Sequence, residues 1–358
     1  MQKTIGILAV LLAAQLVLAV SLSFTAPDLS AAKPDTPLFD LGARSVERLT
    51  IEGTDQQRVV LARKDDHWVL PQMEGFPADQ TRVDGLLDRL EGLKRGLPVA
   101  TTEAAQKRFK VDDQTFERRI ELAGSDDTLA TLYFGSSPGM RRVHARSARD
   151  EAVYTVEFGL YDAPAKAEEW EDKALLQLQP DDIEQIGVAG LVLRPTHGEA
   201  PDGVAAQGDE PKHAAWSGAG LQPGETLDQA AGDALAEKLT GLRIGAVLGR
   251  EPKPGYGLET PQLVLSIQRK AGETIEYRVG KREQEKDYVL KVSSRPEYFR
   301  LPAYTAEQLI EAASRDKLVL AAGAATEQAE AHQHGSDQPP AQGAEQQPQP
   351  AGGGEKAP

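Results

Sequence analysis

Landmark residues from one half of the chain return in the other half at a nearly constant interval. Trp68 and Trp216 lie 148 residues apart, Leu93 and Leu242 lie 149 apart, and Phe109 and Tyr256 lie 147 apart. The pairs Phe134-Gly135 and Val279-Gly280 lie 145 apart. So little drift over so long a unit is hard to obtain by chance, and the spacing predicts an internal duplication. Whatever fold one unit takes, the other is expected to take as well. A chain of 358 residues has room for two such domains once its ends are set aside.

The first unit reads as hairpins with helices set between them. Val46–Ile51, Arg58–Leu61 and His67–Leu70 are β-rich segments separated by turn residues. Val83, Leu86, Leu87, Leu90, Leu93 and Leu97 then recur at helical steps, with Asp84, Asp88, Arg89, Glu91 and Lys94 between them. A short helix is expected near Thr102–Phe109. Four strands should follow, at Phe116–Leu122, Thr128–Phe134, Arg141–Ser147 and Ala152–Phe158. A closing helix is expected over Ala163–Leu176.

The second unit echoes this order with Ile183–Val188, Leu191–Arg194, Trp216, the stripe Leu235, Leu239 and Leu242, and four strands between Leu263 and Leu301. A last helix is expected after Thr305, with Gln308 at the capping-box spacing. A polar Gly/Pro-containing loop at Thr196–Ala215 has no counterpart in the first unit. Sequential hairpins with segregated helices predict an α+β fold with antiparallel sheets and packed helices, not a wound βαβ sheet.

The ends differ from the body. Ile5–Phe24 carries no charge, and twenty helical residues span about 30 Å. With Lys3 before it and Asp28 after it, the run predicts a single transmembrane helix with a cytoplasmic amino terminus and an exported body. That places the protein in a bacterial inner membrane with its main body in the periplasm. A cleaved signal peptide is the competing reading, although the run exceeds the usual signal core. The expected division is a membrane anchor over 1–24, a stalk over 25–39, α+β domains over 40–180 and 181–320, and a disordered tail over 321–358 rich in Ala, Gly, Gln, Glu and Pro.

Composition narrows the chemistry. The formal charge of -15 argues against general affinity for nucleic acid. The absence of cysteine excludes disulfides, a thiolate nucleophile and cysteine metal sites.

With both units in view, the chain resembles the bacterial DUF4340 family, a domain family of unknown function. The residues that carry the resemblance in the first unit are Val46–Ile51, His67-Trp68-Val69-Leu70, Val83–Leu93, Phe134-Gly135 and Val153-Tyr154-Thr155-Val156. In the second they are Trp216, Leu235–Leu242, Val279-Gly280 and Tyr298-Phe299. The resemblance implies an envelope protein with an amino-terminal membrane helix, as in family members encoded beside auxiliary parts of ABC-type transport systems. It transfers no catalytic residue, and the loop at Thr196–Ala215 departs from the pattern.

Few residue groups stand out as sites. Arg141, Arg142, His144, Arg146 and Arg149 form a basic run without an acid. In a strand, Arg142, His144 and Arg146 would share one face, giving a charged hairpin face or a surface for an acidic partner or lipid headgroups. Trp68 and Trp216 are equivalent aromatic anchors, expected in the core or as a peptide or glycan platform. His67 beside Asp65-Asp66 reads as a hairpin turn. His332 and His334 sit in the tail, His197 and His213 bracket the polar loop, and Asp126-Asp127 and Asp181-Asp182 lack calcium-loop spacing. Gly135–Gly139 lacks the lysine of a phosphate loop.

These features predict a non-enzymatic accessory or structural component of an envelope membrane complex, with ABC-type transporter components as partners, the bilayer as anchor and no cofactor. A periplasmic module that binds a peptide, lipid or envelope polymer is one alternative. An uncharacterised hydrolase is another, and it requires the fold to bring a histidine beside a serine and an acid.

Overall fold

The computed structural model describes residues 36–42, 44–196 and 215–321, besides Gln15. The expected membrane helix, most of the stalk, the polar loop over 197–214 and the tail from 322 lie outside the described residues apart from Gln15. Among the described residues, no helix is long and apolar enough to cross a membrane. What the structure supports is mixed α and β structure with antiparallel sheets and few helices.

Two compact units emerge. Unit 1 runs to Leu175 and takes in Ile244–Gly249, whereas unit 2 holds Leu176–Arg243 and Arg250 onward. Ile244–Gly249 is tied into unit 1 by backbone and by charge. The Ile244 N–H donates to the Lys173 carbonyl at 3.0 Å, and the buried Glu171 carboxylate accepts the Val247 N–H at 3.2 and 3.3 Å.

Unit 1 opens with β1 (Arg48–Gly53), β2 (Arg58–Lys64), β3 (His67–Leu70) and the short β4 (Phe76–Pro77). Helices α1 (Gln80–Glu91) and α2 (Glu103–Phe109) follow, then β5 (Arg118–Ala123), β6 (Thr128–Phe134), β7 (Arg142–Ser147) and β8 (Tyr154–Glu157). The strands form one antiparallel sheet in the order β8-β7-β6-β5-β1-β2-β3-β4. Two meanders therefore meet at the central pair β1–β5. Strand alternation sends Leu49, Ile51, Val59, Leu61, Ile120, Leu122, Leu132 and Phe134 to one face, where α1 contributes Val83, Leu86 and Leu90. Each such side chain contributes about 1.5–3 kcal/mol by leaving water.

Unit 2 repeats seven of these eight strands in the same order. It comprises β9 (Ile183–Val188), β10 (Leu191–Thr196), β11 (Ala215–Ala219), α3 (Gln229–Thr240), β12 (Leu263–Arg269), β13 (Thr274–Lys281), β14 (Tyr288–Val292), β15 (Tyr298–Leu301) and α4 (Ala303–Ala312). Its strands run β11-β10-β9-β12-β13-β14-β15, so β9 and β12 hold the central places of β1 and β5. The hairpins close on tight turns with positive φ at both central residues: Asp65-Asp66 between β2 and β3, and Ala189-Gly190 between β9 and β10. His67 thus follows a turn, and its Nδ1 lies 2.7 Å from the Asp65 carbonyl.

Three local expectations differ from the structure. Helix α1 stops at Glu91, because Gly92 caps it, and Leu97 is 91% exposed instead of completing the apolar stripe. Ala163–Leu176 forms no α-helix. Ala163, Ala165 and Trp170 are buried at extended spacing, and the Trp170 indole donates to the Pro164 carbonyl at 2.9 Å, so only short 3-10 turns flank them. Helix α4 begins at Ala303 after Pro302, which leaves Thr305 inside the first turn instead of capping it.

Candidate functional site

Trp68 and Trp216 each sit at the same point of their unit, in β3 and β11, the last long strand ahead of the helix. Trp68 is 3% exposed and Trp216 is 8% exposed, so both are core residues and neither forms an open platform. Each is held by a glutamine and an aspartate from the helix. The Gln80 carboxamide accepts the Trp68 backbone N–H at 2.7 Å and donates to the Trp68 carbonyl at 3.0 Å. Gln229 does the same for Trp216, at 2.5 and 3.0 Å.

The indole N–H groups reach Asp84 at 3.3 Å and Asp233 at 2.8 Å. Asp79 and Asp228 cap the two helices, accepting from Arg82 N at 3.0 Å and Ala231 N at 3.1 Å. The clamp is written twice as Asp-Gln-x-x-x-Asp, over Asp79–Asp84 and Asp228–Asp233. Sequence reasoning missed this signal, although its interval of 149 matches the leucine landmarks.

The basic run around β7 divides into an inside and an outside. Val143 and Ala145 join the main core. His144 and Arg146 point to the opposite face and are nonetheless buried, at 9% and 6% exposure. That face is covered by α2 and the segment after it, through a small cluster of Val111, Tyr133 and Val153 backed by Phe109 and Phe116. Arg146 donates from Nε to the Val111 carbonyl at 2.7 Å and from Nη2 to Asp113 at 2.5 Å, and its guanidinium lies 4.6 Å from the Tyr133 ring centroid. Burial, reinforced by Asp113, pushes the Tyr133 phenol up. Arg142, His144 and Arg146 therefore do not form one exposed basic face.

Only Arg141, Arg142 and Arg149 of the run stay outside. Arg141 ends the turn Pro138–Arg141 with φ of 54°, directly after Met140, which is 92% exposed. The side chains of Arg141 and Arg142 have no hydrogen-bond or carboxylate partner among the described residues.

Among the described residues, His144 is the histidine that the fold sets beside a serine. Its Nδ1 lies 3.0 Å from Ser136 Oγ and 2.8 Å from the Ser136 carbonyl oxygen. A carbonyl only accepts, so Nδ1 carries the proton and donates to it. That nitrogen is thus not a base for the hydroxyl, which itself donates to the Phe109 carbonyl at 3.2 Å. The imidazole packs 4.2 Å from the Phe109 ring. Burial, against the pull of the Ser136 backbone and with the nearby charge of Arg108, lowers its pKa. The pair locks the start of β7 and is not wired as a nucleophile and base.

Among the described residues, no group of three or more His, Cys, Asp or Glu is arranged to hold a metal ion. His197, His213, His332 and His334 lie outside the described residues. A cleft of about 590 Å³ opens in unit 1 between the turn over 53–58 and the loop over 110–117. It is lined by Gln56, Gln57, Gln114 and Phe116 together with charged groups, and it contains none of the residues singled out from the sequence. Its ion pairs, Arg58 with Glu52 at 3.4 Å and Lys110 with Glu117 at 2.5 Å, are surface contacts worth little to stability.

A family model described as a domain of unknown function (DUF4340) matches residues 68–261, which are 194 of the 358 in the chain. No curated protein matches the chain, and no solved structure does.

Proposed function

Because the chain belongs to the DUF4340 family, we propose that it is a non-enzymatic accessory component of an envelope membrane complex, serving an ABC-type transport system. Its uncharged run Ile5–Phe24 anchors it in the inner membrane as a single span, with the two units on the periplasmic side. Anchoring raises the effective concentration of both units near a membrane partner.

The observation that carries this reading is the turn ahead of β7. There Met140 stands 92% exposed beside Arg141 and Arg142, whose guanidiniums are uncommitted in a chain of net charge -15. An exposed apolar side chain flanked by free arginines suits docking against an acidic protein surface. Other polar side chains in unit 1, among them Arg146, His144 and Gln80, are committed to internal partners. That use favours a scaffold over a reaction centre.

A photocrosslinking residue at position 140, activated in intact membranes, tests the reading when paired with protease accessibility for orientation. Recovery of a transport permease or ATPase is the expected result. Crosslinks confined to the chain itself, or release of the full-length protein by alkaline washing without detergent, would sink it.

A further inference from the structure

Arg118 opens β5 in unit 1, opposite Gly53 on β1 and opposite Phe134 on β6. Its Nε is buried and has no hydrogen-bond partner among the described residues. No carboxylate among the described residues pairs with it either. Glu117, its neighbour in the chain, is engaged by Lys110 at 2.5 Å. Burial lowers the Arg118 pKa, with only the charge of Glu117 opposing. Other arginines of unit 1 that the fold draws in find partners: Arg119 binds Glu52 and Glu121, Arg95 binds Asp150, and Arg146 binds Asp113.

Gly53 makes room for this side chain. A Cβ added there would collide with Arg118 Nη1 and lie 3.0 Å from Ala165 Cβ. The guanidinium is thus seated over bare backbone in a half-buried position. Taking the Nε donor out of water without a partner costs stability, since it forfeits hydration and gains nothing in return.

The duplication shows that the fold does not ask for a cation at this place. Arg118 faces Phe134, and in unit 2 the residue facing the matching Val279 is Leu263. Leu263 is buried, and an apolar side chain satisfies the position. Unit 1 keeps an unpaired arginine where its sister solves the same packing problem with leucine. No group among the described residues supplies the missing partner.

We propose that Arg118 is the binding residue of an oxyanion site in unit 1, taking a phosphate or carboxylate group of a small solute. The guanidinium fork offers two parallel N–H donors to such a group, and the half-buried setting strengthens that contact. This site stands apart from the docking turn at Met140 and does not depend on it.

The test is thermal unfolding of the full-length protein in detergent, with inorganic phosphate or acetate titrated against chloride at equal ionic strength. For wild type, a fivefold excess over Kd of the preferred anion is expected to raise the unfolding midpoint by about 2–4 °C. The more effective anion shows whether the group is phosphate or carboxylate. Arg118→Leu, which copies unit 2, should melt higher than wild type without anion and lose the anion increment. An equal increment in Arg118→Leu, no increment in wild type with either anion, or a lower anion-free midpoint for Arg118→Leu would overturn the proposal. If Arg118→Leu does not fold, the titration of Arg118→Gln decides, and an increment equal to that of wild type overturns the proposal again.

Discussion

The indole N–H of Trp216 donates to Asp233 Oδ1 at 2.8 Å, across from the strand into the first turn and a half of α3. The same bond in unit 1, from Trp68 to Asp84, is longer at 3.3 Å. Both bonds satisfy a donor that packing has taken from water. Asp233→Ala should therefore cost about 1–3 kcal/mol, the penalty for a buried donor left unpaired. Asp84→Ala should cost less, because its bond is the weaker. Urea unfolding of the two variants, followed by tryptophan fluorescence, checks the order, and equal losses would contradict it.

Gly135 lies at the end of β6, where the chain passes against the end of α2. A Cβ there would collide with the carbonyl oxygens of Phe109 and Lys110, and one at Gly280 would meet the Tyr256 carbonyl oxygen at 2.5 Å. These obstacles are backbone and cannot swing aside. Gly135→Ala is expected to destabilise unit 1 by about 1–3 kcal/mol. Its loss should appear as earlier hydrogen exchange in β6 and β7. Gly139→Ala, which meets nothing within 4 Å, serves as the control.

Ala189 holds a φ of 52° in the turn between β9 and β10, and an alanine side chain offers nothing in return for that strain. Ala189→Gly should stabilise unit 2 by about 1 kcal/mol, because glycine adopts the left-handed region without the Cβ clash. A higher denaturant midpoint with an unchanged slope is the expected reading.

His144 couples stability to acidity. Its pKa in the folded protein lies below the unfolded value of about 6.5, chiefly through burial. The unfolded chain then binds more protons in the window between the two values, so stability rises with pH there. The contribution of the neutral imidazole is complete above about pH 6.5 and is lost as pH falls through the folded value. His144→Gln should flatten that part of the stability profile. Unfolding measured from pH 8 down to pH 5 would reveal the difference, and parallel profiles would rule out this coupling.

Much of each unit was legible because its signals are local. The alternation Leu49, Ile51 and Ile120, Leu122 reports one buried sheet face, and Val83, Leu86, Leu90 report one helix face. The paired intervals from Trp68 to Trp216 and from Phe134-Gly135 to Val279-Gly280 fall at matching places in two sheets of the same strand order. The boundaries of α1 and α4, and the absence of a helix over 163–176, were harder to read. Apolar spacing does not reveal where Gly92 or Pro302 bounds a helix, or that Trp170 bonds back to Pro164.

Taken by itself, the amino-acid order determined the twofold repeat, the antiparallel α+β character and the uncharged amino-terminal run, because each is written in neighbouring residues or a constant interval. The tertiary structure decided which charges are spoken for. Arg146 and His144 went inside because α2 and the segment after it cover the second face of the sheet, a contact between residues more than thirty positions apart, such as Arg146 with Val111. Among the described residues, Arg118 was left without a partner for the complementary reason. The groups that close around it at Gly53 and Ala165 carry no charge, and no local pattern in the chain foretells that meeting.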